Sequence, residues 1–224
     1  MAVLTVVSYN VYGARYRDTL RAAVLALAPD VLVVSETPKV PLMWRWQCNR
    51  LARSWGMRRA GGGRDAGSNM ICVSARVEVV ATTARRLRQP RFAPRRGIVT
   101  AQCTINDVEF GVVGVHLSLR KPSRPAEAAE ALADAAWLRG PLLLAGDFNE
   151  GPDKPCWQLF RDAGLVDHAS ARAFTSPASA PVNRIDGLLV RGADVREHVV
   201  PDLDDGLLAR ASDHLPVLAR VVVG

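Results

Sequence analysis

Short runs of aliphatic and β-branched residues recur along the chain. They cover 3–8, 31–35, 70–73, 77–83, 98–105, 108–116, 142–145, 185–190, 195–200 and 217–223, and each is bounded by Gly, Pro, Asp or Asn. That length and punctuation predict strands. Between them lie stretches with helical spacing. Residues 19–28 end at Pro29, and 41–55 place Leu42, Trp46 and Leu51 on one face with basic residues interleaved. Residues 125–138 are rich in Ala and Glu, and 155–163 stop at Gly164. Asn106-Asp107, between two strand runs, predicts a hairpin turn, and residues 169–182, rich in Ala, Ser and Pro, a loop.

The order is strand, helix, strand, helix, then consecutive strands, then a helix and more strands. Strict βαβ alternation is absent, and many strands with few helices suggest two packed sheets with helices on their outer faces. Composition adds limits. The 224 residues are 49% hydrophobic and 23% charged, an ordinary globular balance. Lys plus Arg exceed Asp plus Glu by 29 − 22 = +7, almost all arginine, because lysine occurs only at Lys39, Lys121 and Lys154. Guanidinium suits bidentate phosphate contacts. Cys48, Cys72, Cys103 and Cys156 form no Cys-x-x-Cys pair, so reduced, buried thiols are expected. No apolar run reaches the roughly 18 residues of a membrane helix, and the start lacks a basic leader pattern. The expected location is cytoplasmic.

Polar residues stand abruptly at the ends of the apolar runs, where loops begin and catalytic groups gather. Asn10 follows Thr5–Tyr9, Glu36 follows Asp30–Ser35, and His116 closes Phe110–Val115. Asp147 and Asn149 follow Leu142–Gly146, Asp186 lies in the 185–190 run, and Asp213-His214 precede Leu215–Leu218. Carboxylates are hard oxygen ligands suited to Mg²⁺ or Mn²⁺. An Asn amide donates to phosphate oxygens, and His moves protons near neutral pH. Together these are the parts for metal-assisted hydrolysis of a phosphate ester.

The motifs Gly146-Asp147-Phe148-Asn149 and Ser212-Asp213-His214 are the strongest. With Ser8-Tyr9-Asn10-Val11, Pro29-Asp30-Val31 leading to Glu36, and Arg184-Ile185-Asp186, they make the sequence resemble the endonuclease/exonuclease/phosphatase superfamily over essentially its whole length. The resemblance implies a four-layer α/β sandwich of two mixed sheets flanked by helices, built as one domain over 1–224. It implies Glu36 as principal Mg²⁺ ligand (Mn²⁺ as the alternative ion), with Asn10 and Asp213 near the metal. Asp147 and Asn149 orient the phosphate and the attacking water. His214 is general base or holds the phosphate, with Asp186 fixing its tautomer, and Asp147 is the alternative base. His116 matches the histidine placed near the leaving oxygen, where apurinic/apyrimidinic endonucleases have a tyrosine. Ser35 stands where the family usually has glutamine, and the chain is short for the family.

The arginines Arg50, Arg53, Arg58, Arg59, Arg64, Arg76, Arg85, Arg86, Arg88, Arg91, Arg95 and Arg96 face only Asp65 and Glu78 in their span. They read as a phosphate-tracking rim for nucleic acid, DNA or RNA. Either Arg95 or Arg96 matches a phosphate-contacting arginine of the family, and Asn69 matches its Gly-x-Asn pattern lining the cleft. Gly61-Gly62-Gly63 lack the Gly-Lys-Ser/Thr of a P-loop. Trp44, Trp46, Trp55, Trp137 and Trp157 are expected to pack helices and core, and His168 and His198 to lie at the surface or in loops. The leading expectation is a Mg²⁺-dependent phosphodiesterase acting on nucleic acid. The alternative is a phosphatase or phosphodiesterase acting on phospholipid headgroups, inositol phosphates or another small phosphate ester.

Overall fold

The computed structural model describes residues 1–40, 42–203 and 206–224. Eleven strands among them form two sheets. The first comprises β1 (Ala2–Asn10), β2 (Val31–Ser35), β3 (Arg58–Gly63), β4 (Asn69–Val73), β10 (Asp194–Val199) and β11 (Val217–Val223), in the order β10-β11-β1-β2-β4-β3. The second comprises β5 (Glu78–Arg86), β6 (Gly97–Ile105), β7 (Val108–His116), β8 (Leu142–Asp147) and β9 (Asp186–Arg191), in that order. Helices α1 (Arg17–Leu27), α2 (Trp44–Ser54) and the short α5 (Leu207–Ala211) cover the first sheet, while α3 (Arg124–Asp134) and α4 (Pro155–Asp162) cover the second. The result is a four-layer α/β sandwich.

Alternation along the strands creates these layers. Val31 and Val33 of β2 point into the core between the sheets, and Leu32 and Val34 point toward the helices. Leu143 and Ala145 of β8 face the central core, whereas Leu142 and Leu144 face α3 and α4. Both faces are covered, so these strands read as continuous apolar runs. Asn106 and Asp107, at φ +48° and +63°, form the hairpin turn between β6 and β7 with both residues left-handed. All four cysteines are buried and free.

Several expectations need correction. The helix expected over 41–55 begins at Trp44, with Pro41 outside the described residues. Its inner face is Trp44, Cys48, Leu51 and Ala52, an i, i+4, i+7, i+8 stripe, whereas Leu42 and Trp46 are exposed. Trp137 is also partly exposed, so it and Trp46 are not core residues. The strand β3 was not anticipated, because a run ending in three glycines reads as a turn. It lies at the edge of its sheet, with Gly61, Gly62 and Gly63 paired to Ile71, Met70 and Asn69.

His198 is not a surface residue. It is buried on β10, and its Nδ1 accepts the His168 N–H at 3.2 Å beside the Asp167–Arg184 ion pair. Burial, against the pull of Asp167, pushes its pKa down to about 4. A folded pKa below the unfolded value makes the neutral ring stabilising above pH ~6.5, and that stability is lost as pH falls toward 4. We expect about 3 kcal/mol from this site over that window. Urea unfolding of wild type and His198→Asn at pH 7 and pH 4 checks it. The gap between the two proteins should close by about that amount on acidification, and a pH-independent gap would contradict it.

Candidate active site

Two parallel strand pairs end on the same side of the sandwich. In the first sheet Asn10 of β1 lies opposite Ser35 of β2, so Glu36 emerges beside Asn10. In the second, His116 of β7 lies opposite Asp147 of β8, and Asp147 lies opposite Asp186 of β9. A hydrogen bond from Asn10 Nδ2 to Asp147 Oδ2 at 3.1 Å joins the two sheets at this point. Ser212 Oγ donates to the Asn10 carbonyl at 2.6 Å, which brings Asp213 and His214 to the same place. Residues 202 positions apart thus converge because both sheets present strand ends to one cleft.

The backbone is strained there. Glu36 and Asn149 have φ of +60° and +54°. For Glu this is an uncommon conformation, tolerated when surrounding contacts impose it. Gly13 N–H donates to the Glu36 carbonyl at 2.8 Å, and Asn149 N–H donates to Asp147 Oδ1 at 2.9 Å. Gly146, at φ +149°, must be glycine: a Cβ there would sit 1.7 Å from the Val115 carbonyl oxygen. This close approach sets Asp147 against His116.

Electrostatics sort the groups. His214 Nδ1 lies 2.7 Å from Asp186 Oδ2. Burial works to lower the His214 pKa, but the charge and hydrogen bond of Asp186, with Asp147 and Asp213, raise it to about 9. Burial, followed by the Asp186 charge, raises the Asp147 pKa, although His214 and the bonds from Asn149 and Asn10 oppose this. His116 Nε2 stands 3.2 Å from Asp147 Oδ2. Burial, then the charges of Arg96, His214 and Lys39, hold His116 neutral. A protonated His116 donating to a leaving group is therefore disfavoured in this arrangement.

The structure separates the two candidate arginines. Arg96 is buried, and its Nε donates to the Leu117 carbonyl at 3.0 Å. Burial lowers its pKa, while Glu36, Asp147 and Glu127 pull it up, so a guanidinium faces the cleft carboxylates. Arg95 is exposed on the loop. Asn69 is wholly buried, and its Nδ2 donates to the Gly97 carbonyl at 2.6 Å, next to Arg96. Asp213 is exposed beside His214 and accepts from Ser212 Oγ at 3.3 Å.

The arginine stretch is less of a rim than expected. Arg76 is tied to Asp30 at 2.8 Å, and Arg85 to Glu130 and Asp134 at 2.6 and 2.7 Å. Arg58 and Arg59 donate to Val77 and Gly62 carbonyls, and Arg86 to that of Arg64. Arg88, Arg91 and Arg95 remain exposed, with no ion pair among the described residues, on loop 87–96. That loop is closed by Leu87 N–H on the Arg96 carbonyl, and it borders the cleft because Gly97 pairs with His116. Sequence reasoning also missed Tyr9. Its buried phenol has no hydrogen-bond partner among the described residues, and burial, then Asp213 and Asp186, raise its pKa. Its neighbour Asn10 was the only signal.

Which groups could hold a cation follows from what each carboxylate already does. Ligand atoms of Asp147, Asp186 and His214 lie within 4.8 Å of one another. Yet Asp186 Oδ2 already holds His214, and Asp147 accepts from both Asn149 and Asn10, which leaves the buried Asp186 Oδ1 as the carboxylate oxygen of this pair without a partner among the described residues. The half-buried Glu36 carboxylate makes no hydrogen bond or ion pair among the described residues. Among the described residues Asn10 Oδ1 accepts only the Tyr12 N–H, at 3.2 Å, leaving a lone pair. An uncommitted carboxylate beside an amide oxygen is a donor set for a hard divalent cation.

A two-sheet α/β sandwich whose strand ends gather carboxylates, imidazoles and amides in one cleft defines a class of phosphoester hydrolases. The chain belongs to the Endonuclease/Exonuclease/phosphatase family, whose model matches residues 7–214. No curated protein matches the sequence. Among solved structures, it is similar in fold to the endonuclease/exonuclease/phosphatase from Bacteroides vulgatus, with TM-score 0.81, 15% identity and full coverage of both chains. A mannosyl-6-phosphatase of Bacteroides thetaiotaomicron superposes with TM-score 0.78 at 18% identity, covering 98% of this chain and 99% of that one. The human nocturnin catalytic domain with bound sulfate gives TM-score 0.71 at 16% identity, covering 99% and 95%. No helix among the described residues is long and apolar enough to cross a membrane.

Proposed function

We propose that the protein is a Mg²⁺-dependent phosphodiesterase that hydrolyses nucleic-acid phosphodiester bonds, with residues 1–224 acting as one domain. The convergence of Asn10, Glu36, Asp147, Asn149, Asp186 and His214 from both sheets carries this reading. Glu36 and Asn10, with Asp213 at the rim, are the residues that would hold the cation. When bound, it neutralises phosphate charge and stabilises the leaving oxygen. With Nδ1 bound to Asp186, His214 has Nε2 left for the substrate. An imidazolium there donates a charge-assisted hydrogen bond to a phosphate oxygen. Asp147, with its raised pKa and its carboxylate fixed from both sides, is the better-placed base for the attacking water. Neutral His116 and Asn149 frame Asp147, and Arg96 adds positive charge where the transition state gains negative charge.

Nucleic acid as substrate is supported by Arg88, Arg91 and Arg95 bordering the cleft. The internal commitment of Arg58, Arg59, Arg76 and Arg85 favours the second reading, a small phosphate ester. Affinity for a single-stranded oligonucleotide across salt concentrations separates them. On the leading reading log K falls linearly with log salt. Replacing Arg88, Arg91 and Arg95 by Ala should then reduce the slope by about 2, at roughly 0.7 per phosphate contact. Salt-independent affinity would favour the small ester.

A further inference from the structure

Beside Asp213 opens a cleft of about 510 Å³ that none of the roles above uses. That volume lies within the roughly 300–1,000 Å³ of small-molecule sites. Tyr12, Tyr16, Pro177, Ala178, Ser212 and Asp213 are among the residues that line it. We propose that this cleft is a nucleobase subsite, in which Tyr12 and Tyr16 receive the base next to the scissile phosphate. The proposal rests on the nucleic-acid reading and names which part of the substrate that reading places here.

Three observations carry it. First, both rings are partly in solvent, Tyr12 at 37% and Tyr16 at 46% exposure, and both line one concave site rather than lying scattered. Second, the chain is held in an unfavourable conformation that presents them. Tyr12, Gly13 and Ala14 have φ of +47°, +68° and +53° in succession. The left-handed state costs an L-residue roughly 1–2 kcal/mol. Tyr12 N–H on Asn10 Oδ1 and Gly13 N–H on the Glu36 carbonyl hold the turn, so the two proposed cation ligands also set the aromatic wall. Ala178, also in the lining, is tied to the site by its N–H on the Asp213 carbonyl at 2.8 Å. Ring and phosphate positions are therefore mechanically linked.

Third, the Arg15 guanidinium lies over both rings, 5.7 Å from the Tyr12 centroid and 5.9 Å from that of Tyr16. One cation bridging two rings restrains them as a pair and adds positive charge beside the strand backbone. A lining that includes two tyrosines and a proline suits a flat ring better than a polyhydroxylated headgroup, which needs many polar partners. Base–aromatic stacking contributes about 1–3 kcal/mol per base, which is roughly a five- to 150-fold change in affinity.

The test compares oligonucleotides that carry a base or an abasic spacer on each side of the cleaved bond, using wild type, Tyr12→Leu, Tyr16→Leu and the corresponding Phe variants. Wild type should favour the base-bearing substrate through KM. Each Leu variant should lose at least about fivefold of that preference with kcat little changed, and the Phe variants should retain it. Equal losses on both substrates, or a preference that survives in both Leu variants, would overturn the subsite. If wild type cleaves no oligonucleotide, calorimetric binding of a nucleoside monophosphate against ribose 5-phosphate still decides. A preference for the nucleotide that Tyr12→Leu removes sustains the subsite while the nuclease reading falls. No preference overturns the subsite itself.

Discussion

Replacing Glu36 by Gln should lower kcat/KM for Mg²⁺-dependent hydrolysis by at least about 10³-fold, or ~4 kcal/mol of transition-state stabilisation, and leave the fold intact. The Glu36 carboxylate makes no hydrogen bond or ion pair among the described residues that its loss would break. Gln keeps the shape and the strained backbone but removes the negative oxygen that a hard cation requires. The half-buried position limits any effect on stability. Initial rates, Mn²⁺ binding by electron paramagnetic resonance, and thermal unfolding check the three parts separately. Full activity with undiminished Mn²⁺ affinity would remove Glu36 from the site.

Asp186→Asn should be nearly as severe, with kcat reduced on the order of 10³-fold and KM changed far less. The Asp186 carboxylate does two things to His214: it fixes the ring through Nδ1, and its charge keeps the imidazole cationic. An amide at this position can present its N–H to Nδ1 and so favour the wrong tautomer. It also withdraws the charge that raises the Asp147 pKa, so the base becomes weaker as the phosphate-binding cation is lost. Asp186 is buried, so unfolding by urea must accompany the kinetics. A variant that is folded and turns over at the wild-type rate would show that the Asp186–His214 pair is structural.

The sheets were largely legible because the buried strands are mostly apolar on both faces, and those that lead into the cleft, β1, β2, β7 and β8, end at or next to a polar residue. The runs 31–35, 108–116 and 217–223 match β2, β7 and β11 residue for residue. The strand-end groups were legible for the same reason, since abrupt polarity after an apolar run marks the cleft side of a sheet. Other features depend on partners distant in sequence. Glycines conceal β3, whose pairing with β4 supplies what its composition lacks. Arg85 looked like a rim residue until α3 brought Glu130 and Asp134 to it. His198 became a core residue through residues 167–168 and Arg184, and no local pattern announces that. The different settings of Arg95 and Arg96 depend on burial and on the cleft carboxylates, and the protonation of His116 and His214 on burial and the charges the fold assembles around them. Tyr12 and Tyr16 were invisible as a pair because left-handed backbone at non-glycine residues, which sequence rarely reveals, presents them.

The central claim is cation-dependent attack of water on a phosphodiester in the cleft between the two sheets. Hydrolysis of a single-stranded oligonucleotide in ¹⁸O-labelled water, with Mg²⁺ or with EDTA, tests it most directly. The predicted result is cleavage with Mg²⁺ that places one labelled oxygen on the product phosphate, and no cleavage in EDTA. Turnover that persists in EDTA, or product phosphate without label, would contradict it.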